Sequence, residues 1–134
     1  MTTPDTALDD RYAHHEEPQF FVFVKIPVGR RDMDPLHRRE NYLDSVLRDH
    51  GVGSVVGWGD SLGERRLNGA RVAAHVRVDV TLADLQRGLA LLREMLLKLE
   101  SPADTEIHYA SEGRHVVERL DADSGWLAAR PAAR

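Results

Sequence analysis

The sequence has no cysteine, few aromatic residues and no long apolar run, and each of these absences excludes a class of protein. Without cysteine there is no disulfide, thiol nucleophile or cysteine-ligated zinc. No hydrophobic run approaches the roughly 20 residues of a transmembrane helix, and the N-terminus lacks the apolar segment of a signal peptide. Together these features predict a cytoplasmic protein.

An excess of charge of one sign is also missing from most of the chain. The formal net charge of −4 arises within residues 1–18, which hold five acidic residues and one arginine. The rest of the chain has 17 acidic and 17 basic residues (22 less five, and 18 less one). A neutral body lacks the basic field of a nucleic-acid binder and the polybasic segment that binds anionic membranes. We therefore expect neither nucleic acid nor membrane as a partner.

The apolar pattern predicts a single α+β domain over residues 19–127, between a flexible acidic arm (1–18) and a disordered tail (128–134). Strands are predicted at 20–26, 53–58, 71–80 and 105–110, and Val116 with Val117 could add a short fifth one. The Asn68–Gly69 pair is typical of a tight hairpin turn, so the second and third strands should be antiparallel neighbours.

Two helices are predicted between these strands. The first opens at Asp34 and Pro35, a cap followed by a proline suited to the first turn, and ends before Gly51. The second runs to about Glu100 from Thr81 and Asp84, which resemble a capping box. The order strand, helix, strand, strand, helix, strand predicts a ferredoxin-like sandwich, with two helices on one face of a four-stranded antiparallel sheet.

Alternation along the strands assigns side chains to the two faces of this sheet. Val72, Val76 and Val80 should face the helices, so His75 and Arg77 should face the other way. The face without helices (the open face) should then hold Phe21, Phe23, Lys25, His75, Arg77 and His108, and Trp58 could join them. Two phenylalanines there require cover, which we expect from Trp126, Leu127, a second copy of the chain or a ligand.

His75 and His108 are the candidate acid and base groups, because histidine titrates near neutrality without help. They lack a third ligand at metal-site spacing, and no metal or cofactor is predicted. His115 has no visible partner in the sequence. His50, beside Gly51, should interact with carbonyls at the end of the first helix.

A glycine-rich stretch, residues 57–64, precedes Arg65 and Arg66. A glycine-based phosphate site normally leads from a strand into a helix N-terminus, whereas this stretch leads into another strand. The interpretation is a long hairpin loop for partner contact, since Trp and Arg dominate interface hot spots. Its candidate binding residues are Trp58, Asp60, Arg65 and Arg66.

Two function hypotheses remain open. The first is a non-catalytic interaction or regulatory protein, such as an immunity-type inhibitor or accessory subunit. It would bind a protein partner or a second copy through the open face and the glycine-rich loop. The alternative is a small-ligand protein or a dimeric α+β-barrel enzyme, with His75 or His108 as acid or base. The fold hosts many functions, so it does not choose between them.

Overall fold

Seven strands and two helices form the described part of the chain. The structure is a computed structural model that describes residues 19–28, 37–61 and 74–132. The strands are β1 (Phe20–Val28), β2 (Gly53–Ser61), β3 (Ala74–Leu82), β4 (Glu106–Ser111), β5 (Arg114–Asp121), β6 (Gly125–Trp126) and β7 (Arg130–Pro131). The helices are α1 (Arg38–Asp49) and α2 (Leu85–Lys98). The acidic arm, the predicted helix start at residues 34–35, Arg65, Arg66 and the turn at 68–69 lie outside the described residues.

The prediction of a four-stranded ferredoxin-like sheet is wrong, although the secondary structure is of the α+β kind. The sheet is antiparallel and seven-stranded, with the order β2-β3-β1-β4-β5-β6 and with β7 also paired to β5. The prediction fails after β4. There β5 has eight residues and pairs with β4 along its length, from Ser111 opposite Arg114 at the turn to Glu106 opposite Arg119. Both turn residues between them, Glu112 and Gly113, have positive φ, as a tight hairpin turn requires.

The C-terminal segment lies along the outer edge of β5 instead of covering the open face. Leu120 pairs with Trp126, and Val116 pairs with Pro131, so part of the predicted tail forms β7. The Trp126 indole packs against the core on the helix side, where its Nε1 donates to the Arg93 carbonyl at 3.1 Å. The expected cover by Trp126 is therefore wrong.

The core lies between the helices and one face of the sheet. The sheet contributes every second residue of its strands to this core: on β1, Val22, Val24 and Ile26 are fully buried. The helices contribute apolar stripes: Leu43 and Leu47 on α1, and Leu89, Leu92, Met95 and Leu96 on α2. Fully burying each such side chain contributes about 1.5–3 kcal/mol. No helix within residues 19–28, 37–61 and 74–132 covers the opposite sheet face.

The helix ends follow local chemistry. α1 ends at His50 and Gly51, whose φ of 67° glycine tolerates, and His50 Nδ1 lies 3.0 Å from the Val46 carbonyl, as predicted. The predicted capping box is wrong: Thr81 belongs to β3, and Asp84 is itself the N-cap. No helix among the described residues is long and apolar enough to cross a membrane.

Candidate functional site

The open face is organised around β1, which lies between β3 and β4. Phe23 is directly opposite Asp79 on β3 and His108 on β4, so these three residues form one row across the sheet. Lys25 is opposite Arg77 in the adjacent row. The β1, β3 and β4 residues assigned to this face by alternation therefore share it in the structure.

Phe23 is held between two flat groups. The Arg77 guanidinium carbon lies 3.9 Å from the centroid of the phenyl ring, and the His108 ring stacks on it at 4.4 Å with an interplanar angle of 9°. Because β3 and β4 flank β1, the two groups contact opposite faces of the ring. Arg77 also donates to Asp79 at 2.7 Å. Stacking and cation–π contact together fix the position of the His108 ring.

His108 is the middle member of a three-residue hydrogen-bonded chain. Its Nε2 lies 2.8 Å from Glu106 Oε1, and its Nδ1 lies 2.9 Å from His115 Nε2. Burial has the largest effect on its pKa and lowers it below the ordinary value of 6.5, although the Glu106 hydrogen bond opposes this shift. The lowered pKa favours the neutral form of His108 at pH 7.

A neutral His108 fixes the direction of the hydrogen bonds. The Glu106 carboxylate can only accept, so the single His108 proton must be on Nε2. His108 Nδ1 is then an acceptor, and the hydrogen bond that joins it to His115 must be donated by His115 Nε2–H. In the neutral form of His115, this proton on Nε2 leaves Nδ1 as an acceptor. The chain then ends in a base on the exposed member, His115.

That end of the chain borders a cleft of about 450 Å³ between the start of β1 and the β4–β5 turn. Its apolar walls include Phe20, Phe21 and Leu85, and its polar side chains include Arg114 and His115. The Phe21 side chain is 50% exposed. A concave, mainly apolar space with a few convergent polar groups is the usual form of a small-ligand site.

His75 and His108, the predicted pair of histidines, do not meet. His75 is opposite Pro27 and His108 is opposite Phe23, four residues apart along β1. The partner of His108 is instead His115, so the expectation that His115 has no partner is wrong. The signal that could have found it is the turn at 112–113, because that hairpin register places His115 diagonally across from His108.

Trp58 lies on the helix side of the sheet. It is opposite the buried Val78, and its ring centroid is 5.1 Å from that of His37, at the start of α1. The backbone of Asp60 is in β2, opposite Val76, whereas its side chain is outside the described part of the chain. Trp58 therefore does not join the phenylalanines and histidines of the open face.

Behind the cleft, on the helix side, a buried ion pair joins β5 to α2. Glu118, 4% exposed, accepts two hydrogen bonds from Arg93 at 2.7 and 2.8 Å and a third from the Tyr109 hydroxyl. Burial opposes ionisation of Glu118, but the hydrogen bonds from Arg93 and Tyr109 outweigh it and lower its pKa. Burial and the adjacent carboxylate raise the pKa of Tyr109 to about 12. The pair anchors the hairpin that carries His108 and His115.

Comparison with known proteins gives no identity. The chain matches no protein-family model, no curated protein and no solved structure. Within residues 19–28, 37–61 and 74–132, no group of three or more histidine, aspartate or glutamate side chains is arranged to hold a metal ion. The function is therefore argued from the site.

Proposed function

We propose that the chain binds a small organic ligand in the cleft between the start of β1 and the β4–β5 turn. The observation that carries the proposal is the Glu106–His108–His115 chain, which ends in a base at the border of a mainly apolar space. A volume of about 450 Å³ is within the range that holds drug-sized ligands. A cytoplasmic location is part of the proposal, supported by the lack of cysteine.

His115 is the member of the chain that would contact the ligand. When its Nδ1 accepts a hydrogen bond or a proton, its Nε2–H continues to donate to His108. His108, held by Phe23 and Glu106, is a positioning residue that keeps the His115 ring in one orientation. Glu106 supplies a negative charge that favours added positive charge along the chain. The arrangement therefore suits a ligand with a polar group at the turn end and an apolar body.

A fragment screen followed by protein-observed NMR tests this proposal. We expect bound fragments to shift the backbone amides of Ala110, Gly113 and His115. Phe21→Ala should abolish these shifts, because it removes the exposed ring of the cleft wall. Trp58→Ala is the matched control, since Trp58 is 52% exposed, similar to the 50% of Phe21, but lies on the other side of the sheet.

Two results would contradict the proposal. One is a screen in which no fragment shifts the cleft amides. The other is equal loss of binding in Phe21→Ala and Trp58→Ala, which would show that the cleft has no special part in binding.

Binding of a protein partner is the second candidate function, and it is favoured by the exposed edge of β2. Val56 is 57% exposed and Trp58 is 52% exposed, and no described strand pairs with the outer side of β2. Tryptophan is a frequent interface anchor, and an unpaired strand edge can accept another strand. We expect a stoichiometric partner to co-purify with the tagged chain, to be lost in Trp58→Ala and to be kept in Phe21→Ala. Recovery of no partner, or its retention in Trp58→Ala, would contradict this second function.

A further inference from the structure

We infer that the ligand of the cleft is an apolar carboxylic acid, bound as its carboxylate with the charged group at the β4–β5 turn and the apolar body against Phe20 and Phe21. The inference rests on the proposed function and adds the chemical class of the ligand. Its basis is that the phenylalanines of the cleft come from β1 and Arg114 comes from β5, on the two sides of β4.

The polar end of the cleft offers the Arg114 guanidinium as a donor without a competing carboxylate. Arg114 and His115 line it, and no acidic side chain is among the lining residues. Arg114 is exposed and forms no ion pair with any described residue, so its guanidinium is available to an anion. Glu106, the nearest acid in the hydrogen-bonded chain, is engaged by His108 and is not part of the lining. A guanidinium at the rim of a mainly apolar cleft favours a carboxylate over a neutral or cationic group.

The β1 side of the cleft offers mainly apolar surface for the body of the ligand, with Gln19 as its polar lining residue. Phe21 is 50% exposed and Phe20 is 36% exposed, and Leu85 completes this wall. Exposed aromatic rings gain most from a flat apolar partner, through area burial and ring stacking. The space of about 450 Å³ is large enough for a bicyclic ring. A small polar anion such as acetate or phosphate would leave this wall in water.

Access to the turn end is not blocked by the backbone. A side chain built on Gly113 would meet no atom within 4 Å, so the space beside the turn is open. Ser111 pairs with Arg114 at the end of the hairpin, which places Arg114 at the rim of the cleft. The ligand can therefore enter with its apolar body first and leave its carboxylate near solvent, at the rim.

The test is a titration of the full chain, at pH 7, with three naphthalene probes of similar shape and different charge. These are 1-naphthoate, 1-naphthylmethanol and 1-naphthylmethylammonium. We expect 1-naphthoate to bind at least about tenfold more tightly than the alcohol, because charge-assisted hydrogen bonds are roughly twice as strong as neutral ones. The ammonium probe should bind most weakly.

One variant assigns the charge preference to its residue. Arg114→Gln should weaken 1-naphthoate by about tenfold and leave the affinity for the alcohol unchanged. Arg119→Gln is the matched control: it removes the same charge from β5, and Arg119 is not part of this cleft. It should leave all three affinities unchanged.

The outcomes separate this inference from the proposed function. If the alcohol or the ammonium probe binds in the cleft as tightly as 1-naphthoate, the carboxylate class is wrong, while ligand binding there stands. If Arg119→Gln weakens 1-naphthoate as much as Arg114→Gln does, the preference is a general charge effect and the inference is wrong. Failure of all three probes overturns the inference as well, and the fragment screen then decides the proposed function independently.

Discussion

Replacing Glu118 by glutamine tests whether the buried ion pair holds the β4–β5 hairpin. Glu118 is 4% exposed and accepts three hydrogen bonds, two from Arg93 and one from Tyr109. Glutamine has nearly the same shape, so the substitution removes the charge and one acceptor oxygen without opening a cavity. The loss in free energy of unfolding then measures the electrostatic contribution of the ion pair and not a change in packing.

The structure sets the size of the expected effect. Breaking a fully buried pair costs about 3–5 kcal/mol, and losing an exposed one costs at most about 1 kcal/mol. The Arg93 side chain is 33% exposed, so it can regain some water, and the glutamine oxygen can still accept one hydrogen bond. We therefore expect Glu118→Gln to lower the free energy of unfolding by about 2 kcal/mol. For a domain of this size, that lowers the melting temperature by about 8 °C.

The effect depends on pH in a defined direction. Glu118 has a lower pKa in the folded protein than its ordinary value of 4.5. A carboxyl group with a lowered folded pKa stabilises the fold above its unfolded pKa, and the contribution is lost as the pH falls through the folded pKa. The difference between the wild-type protein and Glu118→Gln should therefore be full at pH 7 and diminish below about pH 4.5.

Urea unfolding followed by circular dichroism, at pH 7 and at several acidic pH values, measures this difference. The matched control is Glu94→Gln on α2, where Glu94 pairs with Lys98 at 3.4 Å and both side chains are about 60% exposed. That substitution should cost no more than about 0.5 kcal/mol. If the two variants lose equal stability, or if the effect of Glu118→Gln does not depend on pH, the reasoning is refuted.

Three further substitutions and titrations test other parts of the structure. Asp84→Ala removes the acceptor of an α2 amide 3.1 Å away and should cost about 1 kcal/mol in urea unfolding; no cost would place the cap elsewhere. Gly88→Ala puts a Cβ about 2.5 Å from the buried Leu82 side chain, so the melting temperature should fall although alanine favours helix; a rise would show spare room. By NMR, the pKa of His108 should lie below 6.5, and Glu106→Gln should lower it further; an unchanged value would contradict their hydrogen bond.

The two faces of β3 could be predicted from the sequence because apolar and polar residues alternate strictly along it. β1 is almost wholly apolar, so its faces were predicted only on the assumption that Val22, Val24 and Ile26 face the helices, and these residues are buried. Antiparallel pairing keeps directly opposite residues on the same face.

β5 was predicted only as a possible short strand at Val116 and Val117, because a buried charge interrupts its apolar face. Val116, Glu118 and Leu120 lie on the helix side of this strand. A glutamate in the middle position hides the alternation, and its partner Arg93 is 25 residues away on a helix. Without the full strand and its hairpin register, the contact between His115 and His108 could not be predicted.

Trp58 illustrates a different limit, which is a change of register. Pairing between β2 and β3 shifts between Val55 and Gly57, at a β-bulge. One extra residue reverses the alternation beyond it, so Trp58 lies on the same face as Val55 instead of the open face. No residue in this stretch announces the bulge.

The central claim, that the cleft beside the Glu106–His108–His115 chain is a ligand site, is tested most directly by crystallography. A crystal of the full chain would be soaked with the tightest-binding fragment of the screen. We expect density between Phe21 and His115, within hydrogen-bonding distance of His115 Nδ1. Density found only elsewhere, such as beside Trp58, with the cleft holding only water, would contradict it.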